Sequence, residues 1–539
     1  MKKRTNHILK EFCRYKVGLA GDIMLRNALF HTNREAFIYD NKKITFREYN
    51  ERVNSLIHAL ADMGVKKGEV LGVLSWNCLE YADVFGAAGK GGVILAPFNV
   101  RLSARELEYL INDSGASTVF VDPELADTVS ALKHKISRVR NLISLESSLP
   151  GMYFHADLLS RYPTNEPDVE VDDETPLLLL YTSGTTGVPK GALYTQGQWR
   201  EDILTHSIEM PVTPNDKGLL IMPYFHIGGV IWHAVLLHKG ASNVIMKSFD
   251  PRAVLSAIES EKVTSMCVVP THIAALLDVP DISNYDTSSL KRVKYVGSPM
   301  PVELLKRAIG TWGPIFFQGY GQTESGPDIS FLKEEEHDVL HKSSKEQKRL
   351  LSCGRPAIDV HVRIVDNKHN DVRVGETGEI IVQSRHIMKK YWNKPEETKS
   401  TIIDGWLHTG DMGSYDEDGY IYIVDRKKDM IISGGENIYP REVEEVLYQH
   451  PAVLECAVFG IPDPKWVEVV HAVVSFKKGV DTTAEELIEF CKKHIARYKA
   501  PKSVEIVGEI PKSATGKILK KEMRARYQEG AEMKIKSSS

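Results

Sequence analysis

A chain of 539 residues is three to four times the roughly 150 residues of an average compact unit, which excludes a single small binding module. Lys+Arg 68 against Asp+Glu 72 leaves a net charge of −4, and 26% charged with 42% hydrophobic residues is a globular composition, neither disordered nor fibrous. No basic excess points to a nucleic-acid partner. The six cysteines, Cys13, Cys78, Cys267, Cys353, Cys456 and Cys491, form no CxxC pair. Neither a disulfide framework nor a zinc site is expected, and a reducing cytoplasm fits best. Polar residues break the basic start before a signal-length apolar run can form. The longest apolar stretches, such as Gly228 to Leu237, reach about half of the ~20 residues a membrane span needs. The KIKSSS ending is not an SKL address. The expectation is a soluble cytoplasmic protein with no integral membrane segment.

The spacing predicts a first helix over 46–63, where Phe46, Tyr49, Val53, Leu56, Ile57 and Leu60 share a face, Thr45 and Glu48 form a capping box, and Gly64 ends the element. A strand at 70–76, a helix near 79–88 and a strand at 93–97 follow. Apolar runs at 119–121, 177–181, 219–222, 244–246, 266–269 and 293–296 continue this rhythm, the mark of parallel α/β layers. The charged run from Lys333 to Arg349 reads as a solvated loop or helix face. Past Gly354, short strands at 362–365, 379–382 and 419–424 predict a β-rich subdomain.

Beyond Lys428 the pattern changes again. Pro440 opens a helix carrying Val443, Val446 and Leu447; strands near 454–459 and 471–476 follow; and Thr483 with Glu486 caps a helix carrying Leu487, Ile488, Cys491 and Ile495. The expected fold class is α/β: a large N-terminal domain, 1–427, of α/β subdomains plus a β-rich subdomain, and a small α+β C-terminal domain, 428–539.

The strongest local signal is the apolar run 177–181 followed by TSGTTGVPKG from Thr182 to Gly191. A buried strand ending in Thr182, Ser183, Gly184, Thr185, Thr186 and Gly187 can aim backbone N–H groups and hydroxyls at a polyphosphate, with Lys190 as counter-charge. It is not the P-loop pattern GxxxxGK[ST], and by itself it could also be a turn that happens to be rich in Gly and Thr.

With the later stretches Pro223-Tyr-Phe-His226-Ile-Gly-Gly229, Gly319-Tyr-Gly-Gln-Thr-Glu-Ser325, Gly405-Trp-Leu-His-Thr-Gly-Asp411, Asp425-Arg-Lys-Lys-Asp-Met430 and Pro511-Lys-Ser-Ala-Thr-Gly-Lys517, the chain resembles the adenylate-forming superfamily, in its acyl-CoA synthetase branch. The resemblance extends over nearly the whole chain. It implies a mobile C-terminal domain and an acid–thiol ligase using ATP, Mg²⁺ and coenzyme A, in which a carboxylate attacks the α-phosphorus to give acyl-AMP and the CoA thiol then displaces AMP. Fixed cations should carry most of the first step, and an anionic nucleophile hardly needs a general base.

The same resemblance implies the roles of individual residues. Lys517 bridges the carboxylate and the α-phosphate; Glu324 coordinates Mg²⁺; Thr323 meets the nucleotide phosphate. Tyr320 packs on adenine, with Gly297, Ser298, Pro299, Gln318, Gly319 and Gly321 lining the base. Asp411 and Arg426 hold the ribose. Lys428 is the hinge, Gly434 and Gly435 border the pantetheine channel, and His226 gates the acyl and thiol paths. The acyl pocket is expected near 226–229, 269–272 and 318–320. Two positions depart from the family pattern, since Lys390 and Val467 stand where glycine is usual. The expected substrate is a medium- or long-chain fatty acid. The alternatives are a benzoate- or cinnamate-like acid, an adenylate-transfer enzyme, or a non-catalytic nucleotide-binding protein. A homodimer is allowed.

Overall fold

The computed structural model describes residues 14–182, 189–298, 300–339, 342–426, 429–433, 436–463, 466–512 and 518–527. Two large sheets build the N-terminal domain. The first runs, edge to edge, Arg355–Pro356, Gly326–Leu332, Phe316–Gln322, Arg292–Tyr295, Ser265–Val268, Lys217–Leu220, Ser242–Ile245, Glu35–Tyr39 and Lys42–Thr45. Its central strands are parallel, while Gly326–Leu332 turns back antiparallel on Phe316–Gln322. The second sheet centres on parallel Val70–Leu74, Ile94–Pro97 and Thr118–Val121. Pro176–Thr182 lies beside Ile94–Pro97 and pairs antiparallel with Lys190–Thr195.

These strands read as continuous apolar runs because both faces are buried. In Val70–Leu74, Leu71 and Val73 enter the large core between the sheets, while Val70 and Leu74 enter a second core on the outer face. Helices Gln196–Glu209 and Ile227–Lys239 contribute Trp199, Ile203, Val230 and Val235 to the core that both sheets share. The helix expected over 46–63 is Phe46–Asp62, with the Thr45/Glu48 capping box formed.

The β-rich subdomain is a five-stranded sheet containing Val360–Val365, Gly378–Ser384, Trp406–Tyr415 and Ile421–Arg426. In the C-terminal domain, helices Pro440–Tyr448 and Ala484–His494 cover Val453–Asp463 and Val467–Phe476 over a separate core that includes Val443, Leu447, Val458 and Leu487. The chain therefore has a large N-terminal and a smaller C-terminal domain, both mixed α/β. Among the described residues no helix is long and apolar enough to cross a membrane.

Two features differ from the sequence reading. A helix, Ala20–Phe30, precedes the first one expected. The charged run also turns partly inward: Glu336 and His337 are buried, Glu336 accepting from Tyr420 and Arg355 and His337 Nε2 lying 2.9 Å from the Tyr295 hydroxyl. Charge alone does not reveal a buried partner.

Candidate active site

The site forms around the turn between Phe316–Gln322 and Gly326–Leu332, which carries Thr323 and Glu324. Its backbone is fixed locally, Gln322 N donating to Ser325 Oγ at 2.9 Å. It is also fixed from the other sheet, where the Tyr194 hydroxyl donates to Thr323 O and accepts from Gly326 N at 3.0 Å. Thr182 and Tyr391 both donate to Glu324 Oε1, at 2.9 and 3.0 Å. The Lys190 ammonium sits 4.9 Å from the Tyr391 ring centre. Three segments, around 182, 324 and 391, thus meet at one carboxylate. Burial, and then the charge of Glu324, push the Tyr391 phenol upward, so it remains a neutral donor.

A second carboxylate, Asp411, lies on the other side of the strand. Its Oδ2 accepts from the Tyr320 hydroxyl and from Gln322 Nε2, both at 2.8 Å, and Arg426 Nε stands 3.1 Å from Oδ1. Asp411 and Arg426 face each other across antiparallel strands of the β-rich subdomain, so the pairing register itself brings them together. Burial and Asp411 raise the Tyr320 phenol well above its ordinary range. A carboxylate held this way is an acceptor fit for two vicinal hydroxyls.

His226 is the residue before helix Ile227–Lys239, its ring 4.9 Å from Phe225. The first turn of this helix faces the end of Arg292–Tyr295: a Cβ at Gly228 would lie 3.8 Å from Val296 Cγ2. Gly297 is exposed in the left-handed region at φ 84°, beside half-buried Ser298. Gln318 accepts from the Tyr295 hydroxyl at 3.2 Å. Beyond Asp411 and Arg426, Arg441 donates from its backbone N to Asp425 Oδ2 at 2.9 Å and from Nη1 to Ile423 O at 2.7 Å, tying the first C-terminal helix to the strand that ends at Arg426.

Ser183, Gly184, Thr185, Thr186, Gly187, Pro299, Lys428, Gly434, Gly435 and Lys517 lie outside the described residues. Lys512 and Ile518, the described residues on either side of 513–517, form an antiparallel bridge. Val467, at one of the positions that depart from the family pattern, is exposed at φ 72°, a left-handed backbone that is unfavourable for a β-branched residue. Sequence reasoning missed Tyr391 and Gln322. Their signal was position alone: Gln322 inside the Gly-Tyr-Gly-Gln-Thr-Glu stretch, Tyr391 next to the departing Lys390.

Gly319 is required by close packing, since an added Cβ would lie 1.9 Å from Asp328 Oδ1. Gly319→Ala is expected to destabilise the protein by about 1–3 kcal/mol through overpacking, read as a lower midpoint in urea unfolding.

The family model described as AMP-binding enzyme matches residues 25–392, and that of the AMP-binding enzyme C-terminal domain matches 442–517. A feruloyl-CoA synthase from Amycolatopsis is 38% identical over 94% of this chain and 99% of its own. A medium/long-chain fatty acid–CoA ligase, FadD8 of Mycobacterium tuberculosis, is 34% identical over 93% and 89%. The crystal structure of an anthranilate CoA ligase, AuaEII, in complex with anthranoyl-AMP, superposes with a TM-score of 0.87 at 27% identity, covering 96% of this chain and 98% of that one. With a matching pair of family models, relatives along its full length and two carboxylates gathered at one hairpin, the chain belongs to the AMP-binding enzyme family, as an AMP-forming acyl- or aryl-CoA ligase.

Proposed function

We propose that this ligase activates an aromatic carboxylic acid with ATP and transfers the acyl group to coenzyme A. One observation carries the chemistry: a single hairpin holds Glu324 under Thr182 and Tyr391 on one side and presents Tyr320 and Gln322 to Asp411 on the other. In this reading Asp411 and Arg426 hold the ribose and Tyr320 borders the base, with Gly297, Ser298, Pro299, Gln318, Gly319 and Gly321 around it. The loop from Thr182 to Lys190, with Thr323, meets the phosphates. The acid oxygen attacks the α-phosphorus while the bond to pyrophosphate breaks, with Lys517 supplying positive charge. The thiol then attacks the acyl carbon and AMP leaves. His226 stands between the two paths, and rotation about Lys428 replaces the Lys517 loop by the segment at Gly434 and Gly435.

Among the described residues no group of three or more His, Cys, Asp or Glu could hold a metal by itself. Glu324 fits Mg²⁺ as a single oxygen ligand: two hydroxyls fix its carboxylate through Oε1, and this ion takes its other ligands from phosphates and water. Bound there, Mg²⁺ supplies positive charge to the phosphates.

The aromatic choice replaces the fatty acid expected from sequence because the 38% relative is named for ferulate and the structural neighbour for anthranilate. The fatty-acid reading retains the support of the 34% relative. AMP release by purified protein should be measured with short, medium, long-chain and aromatic acids, each with and without CoA. CoA-dependent turnover is expected to be highest on an aromatic acid. A clear preference for an aliphatic acid would refute the aromatic reading, and acyl-AMP accumulation indifferent to CoA would refute the thiol acceptor.

A further inference from the structure

Behind the hairpin, in the otherwise apolar core between the sheets, lies a group of charges that the adenylation chemistry does not use. Lys294, Asp328, His206 and Asp202 are each at most 1% exposed. Lys294 Nζ and His206 Nε2 both bond Asp328 Oδ2, the latter at 2.5 Å, and His206 Nδ1 lies 2.9 Å from Asp202 O. The aromatic ring of Phe331 lies beside both cations, 5.9 Å from Lys294 Nζ and 5.6 Å from the His206 ring. Burial alone would raise the Asp328 carboxyl, but Lys294 and His206 reverse that and hold it down to about 2, so it is a carboxylate at neutral pH.

Two cations therefore share one oxygen of Asp328, and the other has none. Oδ1 is buried and has no hydrogen-bond partner among the described residues. It lies against Gly319, next to Tyr320 on the strand that reaches Asp411. A buried ion group is a poor way to gain stability, because apolar residues fill such a space at lower cost. An orphaned acceptor within it is a deficit that a donor would remove.

The position of the cluster relates to where an acid must bind. Val296 faces Gly228 at the start of helix Ile227–Lys239. Lys294, two residues back along the same chain direction, projects to the same side, roughly 7 Å deeper into the core. That is about the reach of one substituted ring from His226, Gly228 and Val296, where the proposed reading puts the acid. The register of the hairpin shifts between Tyr320 and Gln322, and such bulges re-aim side chains beside active sites.

We infer that Asp328, held in place by Lys294 and His206, is a specificity-determining residue whose Oδ1 accepts a hydrogen bond from a hydroxyl on the substrate ring, at the end remote from the carboxylate. The inference rests on the aryl-CoA ligase reading and narrows it to hydroxylated aromatic acids. A phenolic O–H to a carboxylate is a charge-assisted bond, and a site built for a hydroxyl leaves a buried acceptor unpaired when the analogue lacks it.

The test compares kcat/KM for 4-hydroxycinnamate and cinnamate, which differ only in that hydroxyl, by acid-dependent pyrophosphate release. The wild-type protein should favour the hydroxylated acid by at least ~20-fold. Lys294→Met combined with Asp328→Leu removes the acceptor together with its lysine and leaves His206 beside Asp202, whose Oδ1 lies 3.3 Å from Nδ1; it should bring the ratio to within about 3-fold while the KM for ATP stays unchanged. Asp328→Asn keeps the shape and an acceptor, and should give an intermediate ratio. A wild-type ratio near one overturns the inference without recourse to any variant. So does an unchanged ratio in either folded variant. Turnover with no acid of the wider panel would instead defeat the ligase reading on which the inference rests, and with it the inference.

Discussion

Lys517→Ala is expected to lower acyl-AMP formation by ~10³-fold or more while thioester formation from supplied acyl-AMP and CoA stays within a few-fold of wild type. The size follows from the charge that develops on the phosphoryl oxygens and the leaving pyrophosphate, where a fixed cation in a water-poor site is worth several kcal/mol. An ammonium on a flexible stem suits a group that must enter for one step and leave for the next. Lys512 pairs with Ile518, and Lys512 Nζ bonds Glu455 Oε1 at 2.6 Å, so the described residues on either side of 513–517 are tied to the C-terminal domain. The two half-reactions are measured separately, by pyrophosphate release and by thioester formation. Equal loss in both would remove Lys517 from its proposed role.

Asp411→Ala should reduce kcat/KM for ATP by about 10²–10³-fold, mainly through a raised KM, with the KM for the acid little changed. The side chain gathers Tyr320, Gln322 and Arg426, and its loss strands these donors as well as the bound ribose. Truncating one partner of such a buried charged network costs about 3–5 kcal/mol. Asp411→Asn keeps the shape but offers one acceptor oxygen instead of two, and should fall between wild type and Asp411→Ala. Nucleotide titration by calorimetry and steady-state kinetics check both. An unchanged ATP KM in a folded Asp411→Ala protein would exclude ribose binding there.

Elements whose physics is local were legible in the sequence. Thr45 with Glu48, and Thr483 with Glu486, cap the helices they announce, and the all-apolar strands are those buried on both faces. The family motifs named Thr182, Glu324, Tyr320, Asp411 and Arg426, and the fold brings these five residues to one hairpin. What escaped depends on contacts between remote segments. Tyr391 reaches Glu324 across 67 residues, and His206, Lys294 and Asp328 come from a helix and two strands with no shared motif. Glu336 looked solvated because its partners Arg355 and Tyr420 lie far along the chain. The aromatic or aliphatic nature of the acid was equally illegible, since it depends on how side chains from remote segments pack around it.

The most direct measurement follows oxygen. The preferred acid, labelled with ¹⁸O in its carboxylate, is turned over with ATP and CoA, and the nucleotide product is weighed by mass spectrometry. Attack of the carboxylate on the α-phosphorus leaves its oxygen on the phosphate when the thiol departs with the acyl group, so one ¹⁸O is predicted in AMP. Unlabelled AMP, or formation of ADP, would contradict an acyl-AMP intermediate.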